Sequence, residues 1–205
     1  MQSDDDMIRA RIGIMGGTFD PIHYGHLVIA EAARYTFSLD KVIFIPTGRP
    51  PHKRNSDYTE AAYRAEMASL AISSYPHFAL SLIEVERSGF SYSVDTVAAI
   101  AKEYHHNADL YFITGADAVL EIDTWHKTEQ LVELCRFVAA TRPGFDLSRL
   151  EQLPAQWRAK IDVMEIPGLD ISSTDIRLRV KEDKPIKYLL PEPVEQYIYQ
   201  HHLYK

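Results

Sequence analysis

The sequence predicts an α/β protein whose core is a doubly wound parallel sheet, folded as a single domain. Three observations carry the prediction. Short apolar strands alternate with helical segments from one end of the chain to the other. The segments Val42–Pro46 (VIFIP) and Leu110–Thr114 (LYFIT) are apolar on both faces, as strands covered by helices on two sides must be. A length of 205 residues without a long linker suits one such domain. This alternation calls for right-handed crossovers. Ligands of such sheets bind beyond the carboxyl ends of the strands, near the point where strand order reverses.

The elements follow in order. Arg9–Met15 reads as the first strand and Leu27–Thr36 as an Ala-rich helix, with Val42–Pro46 the second strand. Residues 48–57 hold two prolines and several polar side chains, a loop composition. Asp57 with Glu60 three residues on has capping-box spacing and starts a helix running to about Ser74. Ala79–Glu86 is a candidate strand, Val94–Tyr104 a helix and Leu110–Thr114 a strand. Leu131–Cys135 is a short helix and Phe137–Ala140 a strand ended by Arg142-Pro143-Gly144. Leu147–Lys160 is amphipathic and loosely helical, and Ile161–Ile166 is the last strand. Thr174–Val180 and Pro193–His202 are helices, the second with proline in its first turn. Residues 1–8, with Asp4, Asp5 and Asp6, read as a flexible acidic lead-in to a domain over 9–205.

Composition excludes several classes. Apolar residues are 46% and charged residues 25%, so the chain can bury a core. Twenty-two basic against twenty-nine acidic side chains give a net charge of −7. That balance argues against coating nucleic acid or an anionic membrane, though not against a small anionic ligand held locally. Cys135 is the only cysteine, which rules out an intrachain disulfide and a four-cysteine zinc site. No apolar run has the length of a membrane span and the start does not resemble a signal peptide, so a soluble, cytoplasmic protein is expected.

Chemistry concentrates first in Gly16-Gly17-Thr18-Phe19-Asp20-Pro21-Ile22-His23-Tyr24-Gly25-His26, between the first strand and the first helix. Paired glycines allow a sharp turn and a close approach of backbone to ligand. The helix that follows aims its N–H groups and positive dipole end at the sheet edge, a setting for phosphate. His23 and His26, three apart, share one helical face, and Gly25 leaves space between them. Two imidazoles at a helix N-terminus oppose the dipole when charged, and a bound polyphosphate would favour their protonated forms. The segment is neither the G-x-G-x-x-G fingerprint nor a Walker loop. The second segment is Ile171-Ser172-Ser173-Thr174-Asp175-Ile176-Arg177, which opens a helix after the last strand. Its hydroxyls, N–H groups and guanidinium suit the β- and γ-phosphates of a nucleotide.

The core His23-Tyr24-Gly25-His26 resembles the (T/H)-x-G-H signature of the nucleotidyltransferase superfamily, and residues 171–177 are similar to its ISSTxIR motif. The wider match resembles the bacterial nicotinate-nucleotide adenylyltransferases, and implies a Rossmann-like nucleotidyltransferase fold. Pro50-Pro51-His52-Lys53 resembles that family's loop over the mononucleotide, and Ser91-Tyr92-Ser93 with Asp95-Thr96 its SYT segment. Trp125 matches the tryptophan that stacks on the pyridine ring, and Arg142-Pro143-Gly144 the RPG turn. Thr47-Gly48 stand where many members have asparagines, Ser93 where threonine is usual, and His126 where tyrosine is common.

The resemblance implies adenylyl transfer from ATP to nicotinate mononucleotide, giving deamido-NAD and pyrophosphate. His23, His26 and Arg177 would be catalytic. Gly16, Gly17, Thr18, Phe19, Gly115, Asp117, Ser172, Ser173, Thr174 and Arg177 would bind ATP. His52, Lys53, Ser93, Trp125, His126 and Arg142 would bind the mononucleotide. Mg2+ would accompany ATP, held by phosphate oxygens and water without a dedicated metal-ligating residue. Neither nucleic acid nor membrane is an expected partner, and the chain is a monomer or homo-oligomer. Tyr197, Tyr199 and Leu203 are expected to pack on the domain. Phosphopantetheine or nicotinamide mononucleotide as acceptor, and a nucleotide sensor without catalysis, are the alternatives.

Overall fold

The structure is a computed structural model and describes residues 9–51, 58–146 and 148–205. The strands are β1 (Ala10–Gly17), β2 (Lys41–Pro46), β3 (Phe78–Leu80), β4 (Ala108–Gly115), β5 (Arg136–Thr141) and β6 (Ile161–Glu165). They form one sheet in the order β3-β2-β1-β4-β5-β6, every neighbouring pair parallel. The doubly wound α/β fold expected from the sequence is therefore the fold observed. The order reverses between β1 and β4, whose carboxyl ends are Gly17 and Gly115, so the crevice for a ligand opens there.

Alternation along each strand divides the apolar side chains between two layers. Val42, Phe44, Tyr111, Ile113, Val138 and Ala140 enter one core, against α1 (Tyr24–Thr36), α2 (Ala61–Ile72), α8 (Ser173–Lys181) and α9 (Glu192–Gln200). Ile12, Ile14, Ile43, Ile45, Leu110, Phe112 and Phe137 enter the other, against α4 (Ser93–Glu103), α6 (Thr128–Leu134) and α7 (Ala155–Arg158). The short helices α3 (Ile83–Glu86) and α5 (Ala116–Leu120) follow β3 and β4. Tyr197 and Leu203 pack against the first core as expected, whereas Tyr199 is exposed.

Several boundaries differ from expectation, each for a physical reason. β1 runs through the paired glycines, which pair with Ile45 and Pro46, so they do not form the turn. The left-handed residue is Phe19, at φ +50°. Its ring folds back so closely that a Cβ on Gly17 would lie 2.8 Å from it, and the glycine makes room for the ring. α1 begins at Tyr24 rather than Leu27, with extended His23 as its N-cap. Residues 79–86 are not one strand: β3 ends at Leu80 and α3 follows. A strand would alternate Glu84 outward, but Glu84 is buried and accepts a 2.7 Å hydrogen bond from Thr96 Oγ1.

α2 begins at Ala61, after the expected start; Asp57 itself lies outside the described residues. Thr59 stays out of the helix because its N–H bonds Asp20 Oδ2 at 3.4 Å and its carbonyl accepts from Arg64 Nε at 2.8 Å. The loosely helical 147–160 divides into a 3-10 turn (Ser148–Gln152) and α7, because Pro154 between them cannot continue a helix. Leu147 and the acidic lead-in over 1–8 lie outside the described residues.

Ile113 in β4 is fully buried between the sheet and the α1 and α2 layer. Replacing it with alanine is expected to destabilise the fold by about 2–5 kcal/mol, through lost burial and the cavity left behind. Urea unfolding followed by circular dichroism measures this as a lower midpoint at unchanged slope.

Candidate active site

The helix start at His23 sets the first half of the site. Its N–H donates to His26 Nδ1 at 3.2 Å, and the two rings lie tilted with centroids 3.8 Å apart. Because Nδ1 of His26 accepts, the neutral ring carries its hydrogen on Nε2 and keeps a donor for a ligand. Phe19 sets its ring edge-on to His26, with centroids 5.1 Å apart. A Cβ on Gly25 would lie 3.0 Å from the His23 ring, so any larger residue would push the imidazole out of place. His23 Nδ1 is buried without a hydrogen-bond partner. An orphaned polar atom of this kind costs about 1–3 kcal/mol, and packing alone gives no reason to keep it. Burial lowers the pKa of His23 to about 4. Burial, with His23 as a second cationic ring beside it, lowers that of His26 to about 3. Both are neutral donors in the free protein at pH 7.

The second half arrives from the far end of the chain. Ser172 caps α8 by accepting from the Asp175 N–H at 3.1 Å. Ser173 Oγ donates to the Pro21 carbonyl at 2.8 Å, and Arg177 Nη1 donates to the Asp20 carbonyl at 2.7 Å. Arg177 Nη2 reaches Thr174 Oγ1 at 3.4 Å. The two motifs thus meet directly, and the start of α8 abuts the loop that leads into α1. Two hydroxyls expected to face phosphate are instead engaged with protein: Ser172 holds its own helix and Ser173 holds the opposite loop. The ligand-facing groups left by this arrangement are the N–H groups of the first turn of α8 and the remaining donors of Arg177.

Beside the loop that leads into α1 lies a pocket of about 240 Å³, lined by Thr47, Pro51, Tyr92, Ser93, Trp125 and His126 among others. Thr47 ties it to the first motif, its N–H donating to the Gly17 carbonyl at 2.8 Å. Ser93 is the first residue of α4, so the positive end of that helix opens into the pocket. Trp125 is held edge-on by Phe112 (5.7 Å) and Phe137 (6.2 Å), and His126 lies against Tyr92 at 4.2 Å. Glu84 is buried and accepts from the Thr96 hydroxyl; burial raises its pKa and that hydroxyl partly restores it. Gly48 is obligatory here, because a Cβ would overlap the Glu84 carbonyl oxygen.

Other expected site residues fall elsewhere. Gly115 caps α5 at the carboxyl end of β4, with open space where a Cβ would stand, and Asp117 is exposed in the first turn of that helix. Arg142 does not line the pocket. It is exposed after β5 and pairs with Asp170 at 3.3 Å, just before the second motif. His52 and Lys53 lie outside the described residues. Sequence reasoning missed Arg64, Glu84 and Tyr204, all of which support the site from beneath. For Arg64 the signal was available: it stands first in the buried stripe Arg64, Met67, Ala68, Ile72 of α2, where helical spacing demands an inward side chain.

The depressed imidazole pKa values have a definite sign in stability. The unfolded chain protonates these rings near pH 6.5, whereas the folded chain resists, so their contribution is full above pH 6.5 and is lost as pH falls toward 4. Thermal melting is therefore expected to show a steeper loss of stability between pH 7 and pH 5 in the wild type than in a His23→Asn, His26→Asn double variant.

Comparison with known proteins gives the family and the fold. The family model for cytidylyltransferase-like proteins matches residues 14–179. A relative from Moorella thermoacetica is 60% identical, over 95% of this chain and 92% of its own, and one from Thermoanaerobacter sp. is 52% identical, over 95% and 94%. Both carry the name probable nicotinate-nucleotide adenylyltransferase. Among solved structures, Plasmodium falciparum nicotinic acid mononucleotide adenylyltransferase, complexed with NaAD, superposes with a TM-score of 0.78 at 24% identity. That match covers 95% of this chain and 97% of the other, and shows the same fold. The chain belongs to the cytidylyltransferase-like nucleotidyltransferases, in the family of the nicotinate-nucleotide adenylyltransferases.

Proposed function

We propose that the protein joins ATP and nicotinate mononucleotide into deamido-NAD with release of pyrophosphate, a step of NAD biosynthesis. The observation that carries this reading is the 2.7 Å bond from Arg177 Nη1 to the Asp20 carbonyl, which merges two phosphate motifs into one cleft. The mononucleotide-sized pocket adjoins that cleft through Thr47 and Gly17. Relatives of 60% and 52% identity carry the name of this activity, and the Plasmodium neighbour holds NaAD.

In the proposed reaction a 5′-phosphate oxygen of the mononucleotide attacks the α-phosphorus of ATP. The new P–O bond forms as the bond from the α-phosphorus to the bridging oxygen breaks, and that oxygen leaves with pyrophosphate. The attacking phosphate is already ionised, so alignment and charge stabilisation are what the protein contributes. His26, through Nε2–H, and His23 are assigned to the α- and β-phosphate oxygens. Approach of the polyphosphate raises their pKa values and strengthens both contacts as charge builds. Arg177 and the first turn of α8 are assigned to the departing pyrophosphate. Gly16, Gly17, Thr18 and Phe19 line the approach to the α-phosphate, and Gly115 and Asp117, across the switch point, are assigned to the adenosine ribose.

Trp125 supplies an aromatic face for the electron-poor pyridine ring, and the start of α4 at Ser93 supplies N–H donors for its carboxylate. His126 is assigned beside them. Arg142 stands outside this pocket and receives no role toward the mononucleotide. Among the described residues no cluster of three His, Cys, Asp or Glu side chains could hold a metal ion. Magnesium is assigned to the substrate, entering as MgATP on phosphate oxygens and water.

Pyrophosphate release is the test, measured with MgATP and, in turn, nicotinate mononucleotide, nicotinamide mononucleotide and phosphopantetheine. Activity is expected with the nicotinate compound above the others; release with none of them overturns the reading in favour of nucleotide binding alone. His26→Ala is expected to lower kcat by about 100- to 1,000-fold, as loss of one oxyanion-type donor does, with little change in Tm. Near-normal turnover of this variant removes His26 from the reaction. Trp125→Ala is expected to raise KM for the mononucleotide while KM for ATP stays close to normal, and equal losses for both substrates contradict stacking.

A further inference from the structure

Beneath the site lies a buried polar group that the reaction does not touch. Arg64 is 1% exposed, and all three of its hydrogen bonds end on backbone carbonyl oxygens. Nη1 donates to Thr18 at 2.7 Å, in the phosphate loop. Nη2 donates to Gly48 at 3.3 Å, next to Thr47 on the wall of the mononucleotide pocket. Nε donates to Thr59 at 2.8 Å, at the approach to α2. One rigid plane therefore grips the two half-sites at once. A guanidinium sets both the spacing and the mutual direction of its acceptors, which a flexible single-point ammonium does not.

Asp20 extends the same network. Its carbonyl accepts from Arg177, its Oδ2 from the Thr59 N–H, and its Oδ1 from the Tyr204 hydroxyl at 2.8 Å. Asp20 is 4% exposed. Burial lowers the Arg64 pKa and the negative field of Asp20 opposes that shift, so the two charges stabilise each other without direct contact. Removal of either would leave its partner buried and less compensated.

We infer that Arg64, with Asp20 and Tyr204, is a positioning brace that sets the distance between the α-phosphate of ATP and the mononucleotide phosphate, acting on alignment and not on the affinity for either substrate. The inference rests on the adenylyl-transfer reading. Its physical basis is that bound reactants must be held in near-attack geometry, where a displacement of about 1 Å can lower a rate by about 100-fold.

The test separates binding from turnover. For Arg64→Lys, kcat is measured at saturating MgATP and nicotinate mononucleotide, and the Kd of each substrate alone by calorimetry. The expected result is a fall in kcat of about 10- to 100-fold with each Kd within about threefold of wild type. A merely structural arginine would lower Tm and leave kcat of the folded fraction unchanged. Folded Arg64→Lys with kcat within about twofold of wild type overturns the brace, as does a loss confined to the Kd of one substrate. Should the lysine variant fail to fold, Tyr204→Phe decides. It keeps the ring and the three Arg64 bonds but removes the bond to Asp20. A several-fold lower kcat with both KM values unchanged supports the brace, and an unchanged kcat overturns it. An active wild type with equally active variants removes only the brace, whereas a wild type that transfers to no mononucleotide removes the adenylyl-transfer reading with it.

Discussion

A single hydrogen bond, from the Arg177 guanidinium to the carbonyl of Asp20, joins residues 157 positions apart and makes one cleft of two motifs. Everything proposed for the site requires it. The bond sets the imidazoles at the start of α1 and the positive end of α8 on one cleft, as the proposed triphosphate contacts require. The sheet makes the bond possible, because β1 sits near its middle and the turn from β1 into α1 opens at the switch point. Ser173 adds a second tie to the same loop through Pro21. The hydroxyls of this motif therefore serve partly as fasteners between elements, which leaves backbone N–H groups and the arginine as the groups proposed for phosphate.

The electrostatics of the cleft in the free protein are set by burial. Burial holds both histidines neutral in the free protein, so the helix dipole carries no added cationic repulsion until ligand arrives. The Nδ1 of His23 is buried without a partner, and Arg64 is buried with its donors on backbone carbonyls. They lie on the two sides of the Phe19 turn, whose left-handed conformation is stabilised by burial of the ring rather than by glycine.

The mononucleotide side shows how a pocket is assembled from segments distant in the chain. Its lining comes from Thr47 to Pro51 after β2, from Ser91 to Ser93 at the start of α4, and from Trp125 and His126 before α6. Close approach of Gly48 to the Glu84 carbonyl explains the glycine at the position after Thr47. Arg142, placed with this pocket on resemblance, instead pairs with Asp170 at the entrance to α8.

By itself the sequence determined the parallel sheet, the two motifs that the fold brings together and most of the pocket's aromatic lining. Strand alternation, glycine placement and N-cap residues are local signals, and local signals survive in one dimension. Tertiary structure alone decided that the glycine pair stays in β1, that α2 waits for Thr59 to be bonded elsewhere, and that Arg64 and Tyr204 reach the same loop. These outcomes depend on partners far away in the chain, whose backbone carbonyls look identical in any sequence. A carbonyl becomes a specific acceptor only once the fold has placed it beside a buried donor.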